Sequence, residues 1–469
     1  MKILSNILKR RHRVRIAVLG SRNSGKTVFL TALASNLLNH RKGNGFELNG
    51  WEAFVENGFA SSTKEDIAVF PYDQYRENFA KENPEWPEKT TCEMSVLRLP
   101  LVFRKKGRKG KFESRSMLIE LLDIPGERIA DLTMANRTYR EWCKWMSDKF
   151  GSSYRANGPY YRDYLEKAEL CHTKDELFDL FKVYLLSEYR RYSPWIVPSV
   201  VKLTKEGKAT QFEQELTIRE LGLTSEAQFV PVPIEWFDPS HEKRAWTKEF
   251  ATAFDKYKEA IVDPISDWLS EADDLVYLVD VLNILKYGPS VYNQEHKFGE
   301  AVFGLFTQHK SHSVWGAVRG CFSSKMRTRI KNAYLVVTKR DLAVGGKESG
   351  DRLITLADAL LGKELRGLME GVGEENIVTC AAVRTVCTKR DESEHETTCA
   401  KTASDKPEAK YEQVSVPEAW PTSGEEWKNA KEDGRFWFED TYPLFDEREN
   451  VSPPQKGLDD LVKKLLELA

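Results

Sequence analysis

Residues 16–27, IAVLGSRNSGKT, constrain this chain more than any other stretch. A short apolar strand, RIAVL (15–19), runs into Gly20, and Gly20 to Thr27 satisfies G-x-x-x-x-G-K-[ST] at every fixed position. The strand must enter a turn whose backbone N–H groups face inward, and a helix must leave it. Glycines keep side chains out of that concavity. The pattern expects Lys26 to reach the β- and γ-phosphates of a nucleotide and the Thr27 hydroxyl to ligate Mg²⁺. A helix from about Thr27 to Asn39 would aim its positive end at the same anion, with Phe29, Leu30, Leu33, Leu37 and Leu38 near a helical period. Arg22, Asn23, Ser24, Gly25, Lys26, Thr27 and Val28 form the candidate phosphate-binding stretch. Lys26 is expected to face solvent, so that its removal leaves no core cavity.

Two later segments extend this site. SMLIELLDIPGE (116–127) is an apolar strand ending in Asp123, three residues before Gly126. The carboxylate can hold a Mg²⁺-bound water, and the Gly126 N–H can meet the γ-phosphate. NAYLVVTKRDLA (332–343) is another apolar strand, followed by Thr338, Lys339, Arg340 and Asp341. An aspartate there accepts from guanine N1 and N2, which adenine cannot match, and the Lys339 stem covers a ring face. NIVTCAAVRT (376–385) adds a strand and a small-residue loop, where Ala382 and Val383 can offer backbone N–H groups to guanine O6. Thr90 and Thr91, in WPEKTT, are alternative switch threonines for Mg²⁺ and the γ-phosphate.

Strands are expected at 15–20, 94–103, 117–123, 275–281, 333–338 and 376–381. Helical patterns separate them, which predicts an α/β fold: a doubly wound, mostly parallel sheet of the P-loop NTPase kind. Such a core needs far fewer than 469 residues, so the excess must be inserted. We expect a first core part at 1–127, a mainly helical insertion at 128–272 and a second core part at 273–385. A second insertion follows at 386–456, with a mobile polar loop over 388–410. The last core helix spans 457–469, its buried face formed by Leu458, Leu461, Val462, Leu465 and Leu466.

A formal net charge of −2 gives no global basic field for nucleic acid. No apolar run is long enough to cross a bilayer. The N-terminal MKILSNILKRRHRVR places its charge after the apolar residues, the reverse of a secretory signal. It reads as a solvated arm or as a weak contact with an anionic membrane surface. Seven scattered cysteines suggest reduced thiols and a cytoplasmic chain, and no cysteine or histidine spacing suggests a structural metal.

Together these segments resemble the Ras-like GTPase core and, more narrowly, the YcjX-like family of bacterial P-loop GTPases. The narrower likeness rests on WPEKTT (86–91), LLDIPGE (121–127), SPWIVPS (193–199), LVDVLNILKYG (278–288), VTKRD (337–341) and CAAVRT (380–385). The resemblance implies a cytoplasmic guanine-nucleotide protein with Mg²⁺, a link to stress responses, and a protein partner, a membrane protein being one candidate. It implies catalytic placement of Lys26, Thr27, Asp123, Gly126 and Glu127. Many Ras-like enzymes put a water-orienting Gln where Glu127 stands, so hydrolysis is expected to be slow, with a non-hydrolysing scaffold or an assembly NTPase as the alternatives. Arg128 is a compensating charge in that expectation and a tether for the helical insertion. Asn23, fourth in the loop, resembles a subset that binds K⁺ beside the phosphates; the plainer account is a polar residue that tolerates a tight turn. Arg22 is the rival charge donor, in its own site or across a dimer.

Overall fold

The computed structural model describes residues 12–21, 23–40, 46–55, 68–79, 86, 94–106, 112–124, 126–150, 161–190, 228–307, 330–344, 346–368, 373–390, 396–400, 409–410, 413–438, 441–442 and 455–467. The N-terminal arm before residue 12, Arg22, Thr90 and Thr91 lie outside the described residues. The chain divides into two compact units. One comprises Met1–Ile124, Glu271–Pro289 and Arg329–Ala469; the other comprises Pro125–Ser270 and Ser290–Thr328.

The first unit holds the strands β1 (His12–Gly20), β2 (Trp51–Val55), β3 (Ala68–Val69), β4 (Ser95–Lys106), β5 (Phe112–Asp123), β6 (Asp274–Val279), β7 (Asn332–Val337), β8 (Ile377–Thr379), β9 (Val386–Arg390), β10 (Glu396–Ala400) and β11 (Ala409–Lys410). The main sheet runs β2-β4-β5-β1-β6-β7-β8, with β3 against β4. β1 lies parallel to β5 and β6, and β6–β7 and β7–β8 are also parallel. β4 runs antiparallel to both β5 and β2. All six expected core strands are present; β2 and β3 add to them at the sheet edge.

Burial explains the strand sequences. Every residue of β6, DLVYLV, is buried, as a central parallel strand covered on both faces requires. β5 changes along its length, exposed at Phe112–Arg115 and buried from Ile119 to Asp123, because only its second half lies within the covered sheet. Helix α1 (Lys26–Leu38) packs Phe29, Leu30, Leu33 and Leu37 into one cluster with Ile16, Val18, Val276 and Val336. Leu458, Leu461, Val462, Leu465 and Leu466 of the last described helix and the turn after it enter the same cluster.

Within residues 388–410, expected as a loop, the described residues 388–390, 396–400 and 409–410 lie in a small antiparallel sheet, β11-β10-β9; the others lie outside the described residues. Backbone pairing needs no large apolar side chains, so a polar composition does not reveal it. The segment Ser290–Thr328, expected in the core, groups with the second unit. Its described helix, Pro289–Thr307, buries Phe298, Val302, Phe303 and Phe306, and apolar periodicity alone does not say which core such a face joins.

Among the described residues, the regular elements of the second unit are all helical. Its core is aromatic: Tyr139, Trp142, Phe229, Phe254 and Tyr257 pack with ring centroids 5.3–6.3 Å apart. No helix among the described residues is long and apolar enough to cross a membrane.

Candidate functional site

The described residues of the turn after β1 bond one another, with Ser24 N donating to the Ser21 carbonyl and Phe29 N to the Gly25 carbonyl. Gly20 cannot carry a side chain: a Cβ there would sit 2.5 Å from the Leu278 carbonyl and 2.6 Å from Ser24 Oγ. Asn23 adopts φ 65° and Gly25 φ 91°, the left-handed conformations that curl the loop. Asn is among the few side chains that accept this region readily, which is the plainer account of Asn23. Gly25 caps α1 without a side-chain hydrogen bond. Ser24 Oγ is buried with no hydrogen-bond partner among the described residues.

Lys26 departs from expectation. It is only 7% exposed, and Nζ donates to the carbonyls of Gly20 (2.8 Å) and Ser21 (2.9 Å). An ammonium held this close to a low-dielectric core needs acceptors, and the loop's own carbonyls supply them. Asp123, at the end of β5, is buried, and desolvation lifts its pKa to about 6 against the opposing pull of Lys26 and a hydrogen bond from Thr27. A hydroxyl and a buried carboxylate side by side are a hard oxygen pair suited to Mg²⁺, which keeps most of its shell for water and phosphate. Val28 follows on α1, half-buried.

The second cluster lies where β7 and β8 end. Cys380 N donates to the Val337 carbonyl, and Arg340 N to the Cys380 carbonyl, so the two loops lie side by side. Thr338 N bonds the Val279 carbonyl at 2.9 Å. Lys339 takes φ 58° and its ammonium pairs with Asp280 at 2.6 Å. Asp341 is buried, which raises its pKa; Thr385 opposes this, donating from N at 2.6 Å and Oγ1 at 3.0 Å to one carboxylate oxygen. Ala382 is half-buried and Val383 buried beside that turn.

Three residues outside the sequence expectation support this cluster. Asp280 also caps the helix Val281–Tyr287 through Asn283 N, a role its position between a strand and an apolar helical run would have suggested. Thr385 ends the small-residue loop. Gln413 Nε2 donates to the Asp341 carbonyl at 2.7 Å, and Val414 pairs with the backbone of Leu342 and Val344. Nothing in the sequence around Gln413 signals that contact.

Gly126 opens the helix Gly126–Asp131 of the second unit, and Glu127 follows it there. Arg128 is not positioned as a free compensating charge. It is buried, and Nη1 donates at 2.8 Å to Tyr257 Oη, which in turn donates to Asp131 at 2.6 Å.

A mostly parallel sheet whose first strand feeds a G-x-x-x-x-G-K-T turn, with an antiparallel strand beside β5, defines a P-loop NTPase of Ras-like strand order. The chain belongs to the YcjX-like family, DUF463, whose profile matches residues 14–468. It is 35% identical over 145 residues to a protein named Ras-like GTPase YcjX from Shewanella oneidensis, covering 28% of this chain and 29% of that one. A protein of the same name from Escherichia coli K12 is 31% identical over 141 residues, covering 29% and 30%. The chain thus spans under a third of the length of these relatives in the matched regions. A chain of the signal recognition particle receptor SRb-GTP/SRX complex from Chaetomium thermophilum aligns at 12% identity over 78% of this chain and 92% of that one, with a TM-score of 0.24.

Proposed function

We propose that this protein binds GTP and GDP and hydrolyses GTP slowly, acting as a nucleotide-controlled switch. The observation that carries the reading is Asp341: a buried carboxylate with one oxygen fixed by Thr385, at the carboxyl end of the strand where an α/β sheet presents a base-binding loop. Its other oxygen is the acceptor that guanine N1 and N2 require. Lys339 lays its stem along the base, with its head anchored on Asp280, and Ala382 and Val383 supply N–H groups to O6. At the other end of the nucleotide, the backbone amides from Asn23 to Thr27 face the phosphates, and Lys26 exchanges its loop carbonyls for phosphate oxygens.

Thr27 and Asp123 would hold Mg²⁺, Asp123 through water, and Thr90 or Thr91, which lie outside the described residues, would complete that set. The ion, when bound, neutralises charge developing on the phosphates. In sequence, Glu127 follows Gly126 where many Ras-like enzymes have a water-orienting Gln, and a carboxylate is a poor replacement for that amide, so turnover is slow. Charge compensation then comes from Arg22 or from K⁺ held by Asn23. The segment that follows Asp123 leads directly into the helical unit, which gives nucleotide state a route to bias a partner surface.

The test is competition for a fluescent GDP analogue. GTP and GDP should compete and ATP should not; equal competition by ATP overturns the guanine assignment. Single-turnover GTP hydrolysis in matched KCl and NaCl, with Asn23→Ala and Arg22→Ala, then separates the two charge donors. No hydrolysis under any of these conditions favours the scaffold.

A further inference from the structure

The helical unit encloses three polar side chains that packing alone does not call for. Arg128 is 3% exposed, and Asp131 and Tyr257 are 0% exposed. Arg128 Nη1 donates to Tyr257 Oη at 2.8 Å, and Tyr257 Oη donates to Asp131 Oδ2 at 2.6 Å. The two charges lie 3.9 Å apart. Ile129, Ala130 and Leu132 on the same short stretch are buried, and the buried ring of Phe229 meets that of Tyr257 edge-on at 5.6 Å. A buried ion pair is a weak source of stability compared with apolar groups of the same volume. It has another property: at a surface, either charge can exchange its partner for water, and here solvent does not reach them.

The charges and the hydroxyl come from different elements. Arg128 and Asp131 share the helix Gly126–Asp131, which opens with the glycine of the D-x-x-G segment. Tyr257 ends the helix Arg244–Tyr257, and Lys258–Val262 form a wider, π-type turn before the helix Asp263–Ser270. Such turns are rare and concentrate at functional sites. Lys258, the first residue of that turn, donates from Nζ to the Arg137 carbonyl at 3.5 Å. In the chain, β5 ends at Asp123 just before Gly126, and β6 begins at Asp274 soon after Ser270.

We propose that Tyr257 is a positioning residue through which nucleotide state reaches the helical unit. Its hydroxyl ties the helix Gly126–Asp131 to the π-type turn, so that the two shift together. The inference rests on the reading of Gly126 as a γ-phosphate contact. Under that reading GTP and GDP place Gly126 differently, and Arg128, two residues on, carries the displacement. Leaving the tyrosine behind would pull a guanidinium and a carboxylate off the hydroxyl between them, in a core where water cannot replace it. The end of the helix Arg244–Tyr257 therefore follows, and the two nucleotides gain the differential contact that a shift in conformation requires.

The experiment is hydrogen–deuterium exchange of the full chain with Mg²⁺ and saturating GDP or a non-hydrolysable GTP analogue. Displacement of a fluorescent GDP analogue confirms occupancy. Wild type should exchange differently in the two states over 126–134 and 250–262, and alike over the helices Tyr161–Ala168 and Lys174–Arg190, which take no part in the relay. Tyr257→Phe keeps the ring and removes the oxygen. The difference over 250–262 should then fall by roughly twofold or more, while that over 126–134 persists and GDP affinity stays within about twofold. Phe254→Leu, on the same helix and without a hydroxyl, should lower the melting temperature yet keep the difference over 250–262, which separates the tie from lost packing. Where Tyr257→Phe fails to fold, the wild-type contrast between 250–262 and the two spared helices decides. Binding with no difference over 250–262, a difference spread evenly through the unit, or one that Tyr257→Phe leaves intact overturns the relay alone. Binding of neither nucleotide overturns the nucleotide reading and the relay with it.

Discussion

The two ends of the candidate nucleotide site are built in different ways. At the phosphate end, one contiguous stretch makes its own turn, and its lysine satisfies itself on carbonyls five and six residues back. At the guanine end, Asp341 depends on Thr385, 44 residues away, and on Gln413, 72 residues away, while Lys339 depends on Asp280. A local loop tolerates change elsewhere in the chain. An assembled one inherits the stability of every element that holds it. Substitutions at the first end should therefore act on nucleotide directly, and those around the second should act through positioning.

The largest effect is expected at Lys26. Lys26→Ala should abolish detectable GTP and GDP binding. It should also lower the stability of the nucleotide-free protein by about 1–2 kcal/mol, because two loop carbonyls lose a charged donor. A melting curve without nucleotide checks the second part, and no change would mean that the buried lysine contributes nothing to the fold. Asp341→Asn comes next. It should weaken GDP by roughly 10–100-fold, in line with about 1.5–3 kcal/mol for hydrogen bonds to a charged group. It should also favour xanthine nucleotides, whose C2 carbonyl accepts from the amide; titrations with GDP and XDP test the exchange. Retained preference for GDP would break the contrast between the two ends.

Asp280→Ala should cost about 1 kcal/mol of stability through the lost cap. It should weaken GTP and GDP by the same factor, because it acts at the base and not at the γ-phosphate. Unequal loss, measured by calorimetry, would tie Asp280 to the phosphate end instead. The smallest effect belongs to Gln413→Ala, roughly three- to tenfold on guanine nucleotide affinity, the scale of one hydrogen bond of about 1 kcal/mol. Pyrophosphate should compete equally well with wild type and Gln413→Ala at the phosphate loop; a drop there would show a general structural defect.

This contrast also sets how much could be read in the sequence. The phosphate loop was legible because its physics is compressed into eight adjacent residues, glycines and lysine included. The central strands were legible because burial on both faces forces apolar runs, as in β6. Edge strand β2, alternating less cleanly as WEAFV, and the polar strands β9 to β11 carry no such signature. Asp341 was legible as a residue type after a strand. Its supports were not, because a glutamine that finds a carbonyl across a long insertion leaves no local pattern. The burial of Lys26 is hidden for a related reason: sequence reports charge, but not the carbonyls a loop turns inward.

The last described helix, Leu458–Leu465, has a consequence for how the protein is made. Its leucines share a cluster with Phe29 and Leu33 of α1, and a side chain at Gly457 would collide with the Thr379 carbonyl. The loop of residues 20–27 thus leaves the ribosome early, while part of the cluster that its following helix packs into arrives only with Leu458–Leu466. Contacts this distant in sequence close slowly. During synthesis the half-built sheet presents bare apolar surface, and the helical unit, drawn largely from one continuous stretch, can complete first.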